Sequence, residues 1–361
     1  MSRLDPPSLP SLSASPGPAS PDRAADRPPR ISLPHGDALA LWLVFGALSA
    51  AWGSSFLFIK IGLDEGLPPL TLVTFRLLIA IVFLSVVLKL TGGRLPRQGG
   101  ALYRLAALGL INVAIPFGLI TWGELWIPSA LASILNGLVP LFTIVLAALL
   151  LRDEPITSNR LAGLAIGFVG AILLLSPQMA AADPAVDSSM MLLGELAVVV
   201  ASLSYAFSVV YIRRSISGKP LVEDPIRGPR PLTPVETALP QCISALVIIG
   251  GLALVFERPG GVFIVPPTLP AWFAVGWLGI VGSGIAYLLF FRLISAWGAT
   301  RTTLVTYVMP VVGIALGVLV LGERLDLAEV IGAILVIGGL VLANSSFGQR
   351  RLYGRGGQPA R

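Results

Sequence analysis

Apolar residues along this chain come in runs of about twenty, separated by short polar or Pro/Gly-containing stretches. From Ala38 onward the runs fall at about 38–61, 68–90, 105–126, 128–151, 161–177, 190–212, 237–256, 271–291, 302–321 and 327–345. Each is long enough for one bilayer crossing, which takes roughly 20 helical residues. Inside the runs the polar face of a soluble amphipathic helix is missing: Leu77 to Leu88 is broken only by Ser85. The pattern predicts an all-α membrane protein with ten transmembrane helices. Its thinnest boundary is Ile127–Pro128, between the third and fourth runs.

Composition agrees with that pattern. Of the 361 residues 55% are hydrophobic and 12% charged, with a mean hydropathy of +0.85, whereas a soluble domain carries about 25% charged residues. Residues 1–37 are the exception, with nine prolines among Ser, Ala and Asp, and read as a disordered cytoplasmic tail. Residues 346–361 read as a second, basic cytoplasmic tail. The single cysteine, Cys242, excludes a disulfide framework or thiolate cluster, and the single histidine, His35, excludes a His-based zinc site or a Ser-His-Asp triad. No glycine-rich phosphate loop stands in a strand-to-helix setting. Neither a metal, a cofactor nor an enzymatic activity is expected.

The net charge of +6 is distributed as a topology signal. With the N-terminus cytoplasmic, all of the 25 Lys and Arg except Lys60, Arg76, Arg258 and Arg324 fall in cytoplasmic segments. Both termini are therefore expected inside, and with the basic residues spread over six segments no nucleic-acid surface is expected. Arginine far outnumbers lysine, which points to a bacterial genome rich in G and C and to a plasma (inner) membrane.

The chain also repeats. A shift of 170 residues aligns Gly109 with Gly279, Ile115 with Ile285, Phe117 with Tyr287 and Pro140 with Pro310; a one-residue slip then carries Gly163 onto Gly332 and Gly170 onto Gly339. Lys60 pairs with Arg213 earlier in the chain. The first five spans (38–177) thus resemble the last five (190–345). Because five is odd, the second copy must enter the membrane from the opposite side, giving two inverted five-helix repeats. That symmetry underlies alternating access in many transporters.

Three prolines fall near the middle of predicted spans: Pro116, Pro140 and Pro310. Each denies a helical donor to the carbonyl four residues earlier, on Asn112, Asn136 and Thr306, and an unpaired carbonyl in hydrocarbon costs several kcal/mol. These kinks are read as hinges facing a wet interior. Small hydroxyls and aromatic rings share nearby helix faces: Trp52 and Ser55 in the first span, Tyr205 and Ser208 in the sixth, Ser283 and Tyr287 in the eighth, and Thr306 and Tyr307 in the ninth. With Asn112 and Asn136 they form the candidate substrate-binding set for an amphipathic organic solute.

Intramembrane charges are rarer. Lys60, Arg76, Glu124 and Glu195 are the candidate gate or coupling residues, with Arg76–Glu124 the expected ion pair across the outer entrance. In the alternative reading Glu124 or Glu195 exchanges a coupling proton. Glu154 and Glu323 read as loop anchors and Cys242 as a packing residue.

Several segments together resemble EamA-type members of the drug/metabolite transporter superfamily. They are Trp52-Gly-Ser-Ser-Phe-Leu-Phe-Ile-Lys60, Pro69-Leu-Thr with Phe75-Arg76, Trp122-Gly-Glu124, Ala132-Ser-Ile-Leu-Asn-Gly-Leu-Val-Pro140 and Gly322-Glu-Arg-Leu325. The resemblance runs from about residue 38 to 345. It implies a five-plus-five inverted fold with cytoplasmic termini and a central cavity lined chiefly by the first, third, fourth, sixth, eighth and ninth spans. It also implies transport of small organic solutes such as amino acids, often outward. Two features depart from it, a long connection at 216–235 and the 37-residue tail. The expected function is a secondary transporter or facilitator; the alternative is a non-transporting multi-span receptor or assembly platform.

Overall fold

The computed structural model describes residues 35–97, 99–151, 156–180, 188–224, 228–258, 264–309, 311–312, 327–345 and 351–353. All packing described below lies within Ala40–Arg361. Residues 1–34 and 354–361, half of the predicted ninth span including Pro310, and the carboxylates Glu154 and Glu323 lie outside the described residues.

The described residues are helical almost throughout. α1 (His35–Asp64) and α2 (Pro69–Leu90) are followed by α3 (Gly99–Gly109) and α4 (Ile115–Gly123), which a π-helical turn at Leu110–Ala114 fuses into one rod. α5 (Ser129–Asn136) and α6 (Val139–Leu150) come next, then α7 (Ser158–Ala180), α8 (Ser188–Ser215) and α9 (Pro234–Phe256). α10 (Leu269–Gly279) and α11 (Ala286–Trp297) are fused by a second π-helical turn, Ile280–Ile285. α12 (Ala299–Thr303), a helical turn at 305–309 and α13 (Leu327–Asn344) complete the described helices. Two antiparallel ribbons lie outside them, β1 (Ile156–Thr157) with β4 (Arg351–Tyr353) and β2 (Val222–Asp224) with β3 (Gly228–Arg230).

Seven stretches among the described residues are long and apolar enough to cross a membrane: Ala38–Asp64, Pro69–Leu90, Gly99–Gly123, Leu131–Leu150, Ser188–Ser215, Pro234–Phe256 and Leu269–Trp297. Their outer faces carry large apolar side chains with no protein cover, such as Val82 at 66%, Val247 at 71% and Val255 at 72% exposure. A belt of this kind, on helices long enough to cross a bilayer, fits a surface that faces lipid.

Helix starts follow local chemistry. Pro68 and Pro128 hold extended backbone before α2 and α5, since the proline ring fixes φ. The first amides of α2 are capped from a distance: Leu70 and Thr71 N–H donate to the Glu257 carboxylate at 3.0 and 2.7 Å. α9 starts with a reciprocal cap between Thr233 and Glu236. Between the third and fourth predicted spans the chain turns at Leu125–Pro128, with Ile127 N–H bonded to Gly123 O at 3.1 Å.

Among the described residues four predicted spans are not continuous α-helices, the one expected at 302–321 being interrupted at Leu304. The span expected at 128–151 breaks at Gly137–Leu138, where Pro140 cannot supply a donor to Asn136 O; those expected at 105–126 and 271–291 each carry a π-helical turn.

Glycines set two close crossings. A Cβ on Gly53 of α1 would lie 2.8 Å from Met309 O, so α1 touches the 305–309 turn backbone to backbone. α7 lies along α13, with Gly163 against Gly339 O and Gly170 against Gly332 O. Small residues at such crossings let membrane helices approach closely.

Candidate functional site

The site begins with carbonyls that the helices cannot serve. In the first π-helical turn Ile115 N–H reaches back five residues to Leu110 O. Ile111 O then has no helical donor, because its four-residue partner is taken and its five-residue partner, Pro116, has no N–H. The Ser204 hydroxyl on α8 donates to it at 2.6 Å. Asn112 O, also denied by Pro116, accepts the Tyr287 hydroxyl at 3.2 Å. In the second turn Ala286 N–H goes to Val281 O and Ser283 O, releasing Gly282 O; Arg76 Nη2 donates to it at 3.1 Å. The two π-helical turns stand at the 170-residue offset of the sequence repeat.

Between these breaks lies a cavity of about 690 Å³, open mouth included. Trp52 and Ser55 of α1, Arg76 of α2, Asn112, Asn136, Tyr205 of α8 and Thr306 line its polar wall. Phe56, Ile59, Phe117, Ile120, Phe290 and Met309 supply much of the apolar wall. Trp52 packs on Phe290 at 5.3 Å between ring centroids.

Six of the ten predicted solute-contacting residues are thus brought together: Trp52, Ser55, Asn112, Asn136, Tyr205 and Thr306. The other four are not among the lining residues and hold the wall from behind. Ser208 donates to Asn112 Oδ1 at 2.7 Å and Ser283 accepts from Arg76 Nε at 2.7 Å. Tyr287 serves Asn112 O, and Tyr307 serves Leu164 O at 3.1 Å on α7. Their hydroxyls are committed to helix carbonyls or neighbouring side chains, which leaves them turned away from the cavity.

The charged residues also depart from expectation. Arg76 does not pair with Glu124. Its guanidinium lies 3.8 Å over the centre of the Phe117 ring and bonds to Ser283 and Gly282. Glu124 is fully buried; one oxygen accepts from Ser129 at 2.8 Å and the other has no donor. Lys60 pairs with Asp64 one turn on at 3.1 Å, both partly exposed, and Glu195 is half-buried on α8. Of the hinges, Pro116 follows the first π-helical turn and Pro140 the α5–α6 break.

Two polar groups escaped the sequence reading. Gln241 Oε1 accepts from Asn112 Nδ2 at 3.0 Å, completing that side chain's fixation. Glu236 receives a two-pronged Arg230 contact at 2.8 and 2.7 Å and the backbone amides of Arg94 and Thr233, tying the β2–β3 ribbon to α9. Thr233-x-x-Glu236 is a legible capping box, but the expected span began one residue past it.

The EamA-like transporter family matches residues 39–176 and 192–345. The inner membrane transporter YedA of Escherichia coli K12 is 30% identical over 305 residues, covering 83% of this chain and 90% of its own. A protein of the same bacterium described as a probable amino-acid metabolite efflux pump is 26% identical over 300 residues, covering 81% and 90%. One solved crystal structure superposes with a TM-score of 0.66 at 20% identity, covering 85% of this chain and 96% of its own. The family match takes in every residue of the cavity wall and both copies of the repeat, and on that ground the chain belongs to the EamA-like transporter family, as a multi-pass membrane transporter.

Proposed function

We propose that this protein exports a small organic metabolite, such as an amino acid, across the bacterial inner membrane by alternating access of the cavity between its two halves. The observation that carries the reading is how repeat-matched residues meet. Phe117 and Tyr287, matched across the repeat, stack on each other with ring centroids 6.3 Å apart and 15° between planes. Gly163 meets Gly339 while Gly170 meets Gly332, and the match pairs Gly163 with Gly332 and Gly170 with Gly339. Contacts exchanged in this way are the signature of a two-fold axis.

With five spans per half, such an axis lies in the membrane plane and the halves are inverted, giving ten spans and two cytoplasmic termini. Inward-open and outward-open forms then arise as the halves exchange shapes. Pro116, Pro140 and Pro310 and the π-helical turns supply the bends, Trp52, Ser55, Asn112, Asn136, Tyr205 and Thr306 face the solute, and Ser208, Ser283, Tyr287 and Tyr307 keep the wall in register. A relative described as an amino-acid metabolite efflux pump supports the solute class and the direction. A proton is the proposed coupling ion, with Glu124 its site because one carboxylate oxygen is buried without a donor.

Counterflow in proteoliposomes tests the reading, using a panel of amino acids and related metabolites with and without an imposed proton gradient. Exchange of at least one solute is expected. Failure of correctly folded protein to exchange any of them overturns it.

A further inference from the structure

Arg76 is the one charged side chain among the described residues lining the cavity, and it is only 3% exposed. A guanidinium presents five N–H donors. Here Nε is used by Ser283 Oγ and one Nη2 proton by Gly282 O, and the ring of Phe117 takes the flat face. All three partners are neutral. Among the described residues no carboxylate forms an ion pair with it. The Nη1 edge has no acceptor among the described residues. Keeping a cation out of water without a counter-charge is expensive, and the Ser283, Gly282 and Phe117 contacts hold this one in a fixed orientation at the cavity wall.

We infer that Arg76 is the anion anchor of the cavity and receives the carboxylate of an amphipathic solute. The inference rests on the transport reading above and adds a substrate class to it. The planar fork of arginine matches the two oxygens of a carboxylate, and both bonds are charge-assisted. Because the guanidinium is already oriented, little further ordering is needed when the anion arrives. The rest of the solute lies against Phe56, Ile59, Ile120 and Phe290, which favours an apolar body. The same site rejects the decarboxylated amine, since it would bring a second positive charge against a buried cation. Arg76 belongs to the first half while Gly282 and Ser283 belong to the second, so the carboxylate binds at a bond that joins the halves.

The test uses the full chain in proteoliposomes. Counterflow is measured for leucine, phenylalanine and methionine, each as the amino acid, as its carboxamide and as its decarboxylated amine. Wild type is expected to exchange the acids at least about ten-fold better than the amides, with the amines slowest. Arg76→Gln should bring the acid-to-amide ratio to within about two-fold, and Arg76→Lys, which keeps the charge without the fork, should retain a reduced preference. If Arg76→Gln does not fold, the wild-type ratio and Arg76→Lys decide the matter. Amides or amines exchanged by wild type as well as acids, an Arg76→Gln protein with the full acid preference, or an Arg76→Lys protein equal to wild type would each overturn the inference and leave transport standing. A folded wild type that exchanges other solutes of the wider panel above but no compound of this one overturns the inference alone, and one that exchanges no solute of either panel overturns the transport reading and this inference with it.

Discussion

At the scale of single residues, the cavity wall is organised by backbone carbonyls and the side chains that satisfy them. Ser204 serves Ile111 O and Tyr287 serves Asn112 O; removing either hydroxyl strands a carbonyl where water is scarce. Ser204→Ala and Tyr287→Phe should each cost about 1–3 kcal/mol, read as a lowered unfolding temperature of the detergent-solubilised protein. Thr143→Val is the contrasting case. That hydroxyl is buried and has no hydrogen-bond partner, so the isosteric apolar side chain should leave the unfolding temperature unchanged or raise it. Asn112, Asn136 and Thr306 were legible in the sequence because proline position alone identifies the carbonyl it leaves without a donor. Ser208, Ser283, Tyr287 and Tyr307 stand one layer behind the cavity lining for an equally physical reason. Helical periodicity gives the face of a residue, but a hydroxyl turned toward a cavity and one turned toward a neighbouring helix have the same spacing. Arg76 was singled out by its rarity in a membrane span, while its partners were not, because three neutral groups leave no complementary charge to search for.

At the scale of elements, close backbone approach and buried caps decide the arrangement. Gly53 of α1 has no room for a Cβ beside Met309 O, whereas nothing lies within 4 Å of the corresponding point at Gly46. Gly53→Ala should push α1 from the 305–309 turn, destabilise the protein by about 1–3 kcal/mol and slow exchange. Gly46→Ala should be neutral or slightly stabilising, and the two proteins compared by thermal unfolding and counterflow separate packing from helix propensity. Glu236→Gln attacks the other kind of joint. The amide keeps one acceptor oxygen but cannot match the two-pronged Arg230 contact, and a loss of about 2–3 kcal/mol is expected, the low end for a broken buried pair because Arg230 is 25% exposed. The positions of seven spans were legible, since long runs without a polar face are read directly as crossings. The break between α5 and α6 was announced by Pro140. The second π-helical turn carries no proline, only Gly282 and Gly284 after Gly279 at its start, and glycines in a membrane span signal close packing as readily as a change of helical pitch. Its position becomes visible only through the first turn and the repeat offset.

At the scale of the whole molecule, the halves are bonded to each other through their own matched residues, and the direction of each half follows from whether the chain enters the second one from the opposite side. Asp64, just past the first span, and Lys219, just past the sixth, occupy comparable places in the two copies, and both are exposed. In an inverted pair they face opposite sides of the membrane; in a parallel pair they share one. The native thiol, Cys242, is buried in α9, so Cys242→Ala gives a background for labelling at the cost of a small packing residue. On it, Asp64→Cys should react with a membrane-impermeant maleimide in intact cells, while Lys219→Cys should react only after the membrane is opened, as the bias of Lys and Arg requires. The reverse result, with Lys219→Cys labelled from outside and Asp64→Cys from within, would keep the inverted pair but turn the whole molecule over. Reaction of both from the same face would remove the two-fold relation in the membrane plane. Shape exchange between the halves would then no longer account for a cavity that opens alternately to the two sides.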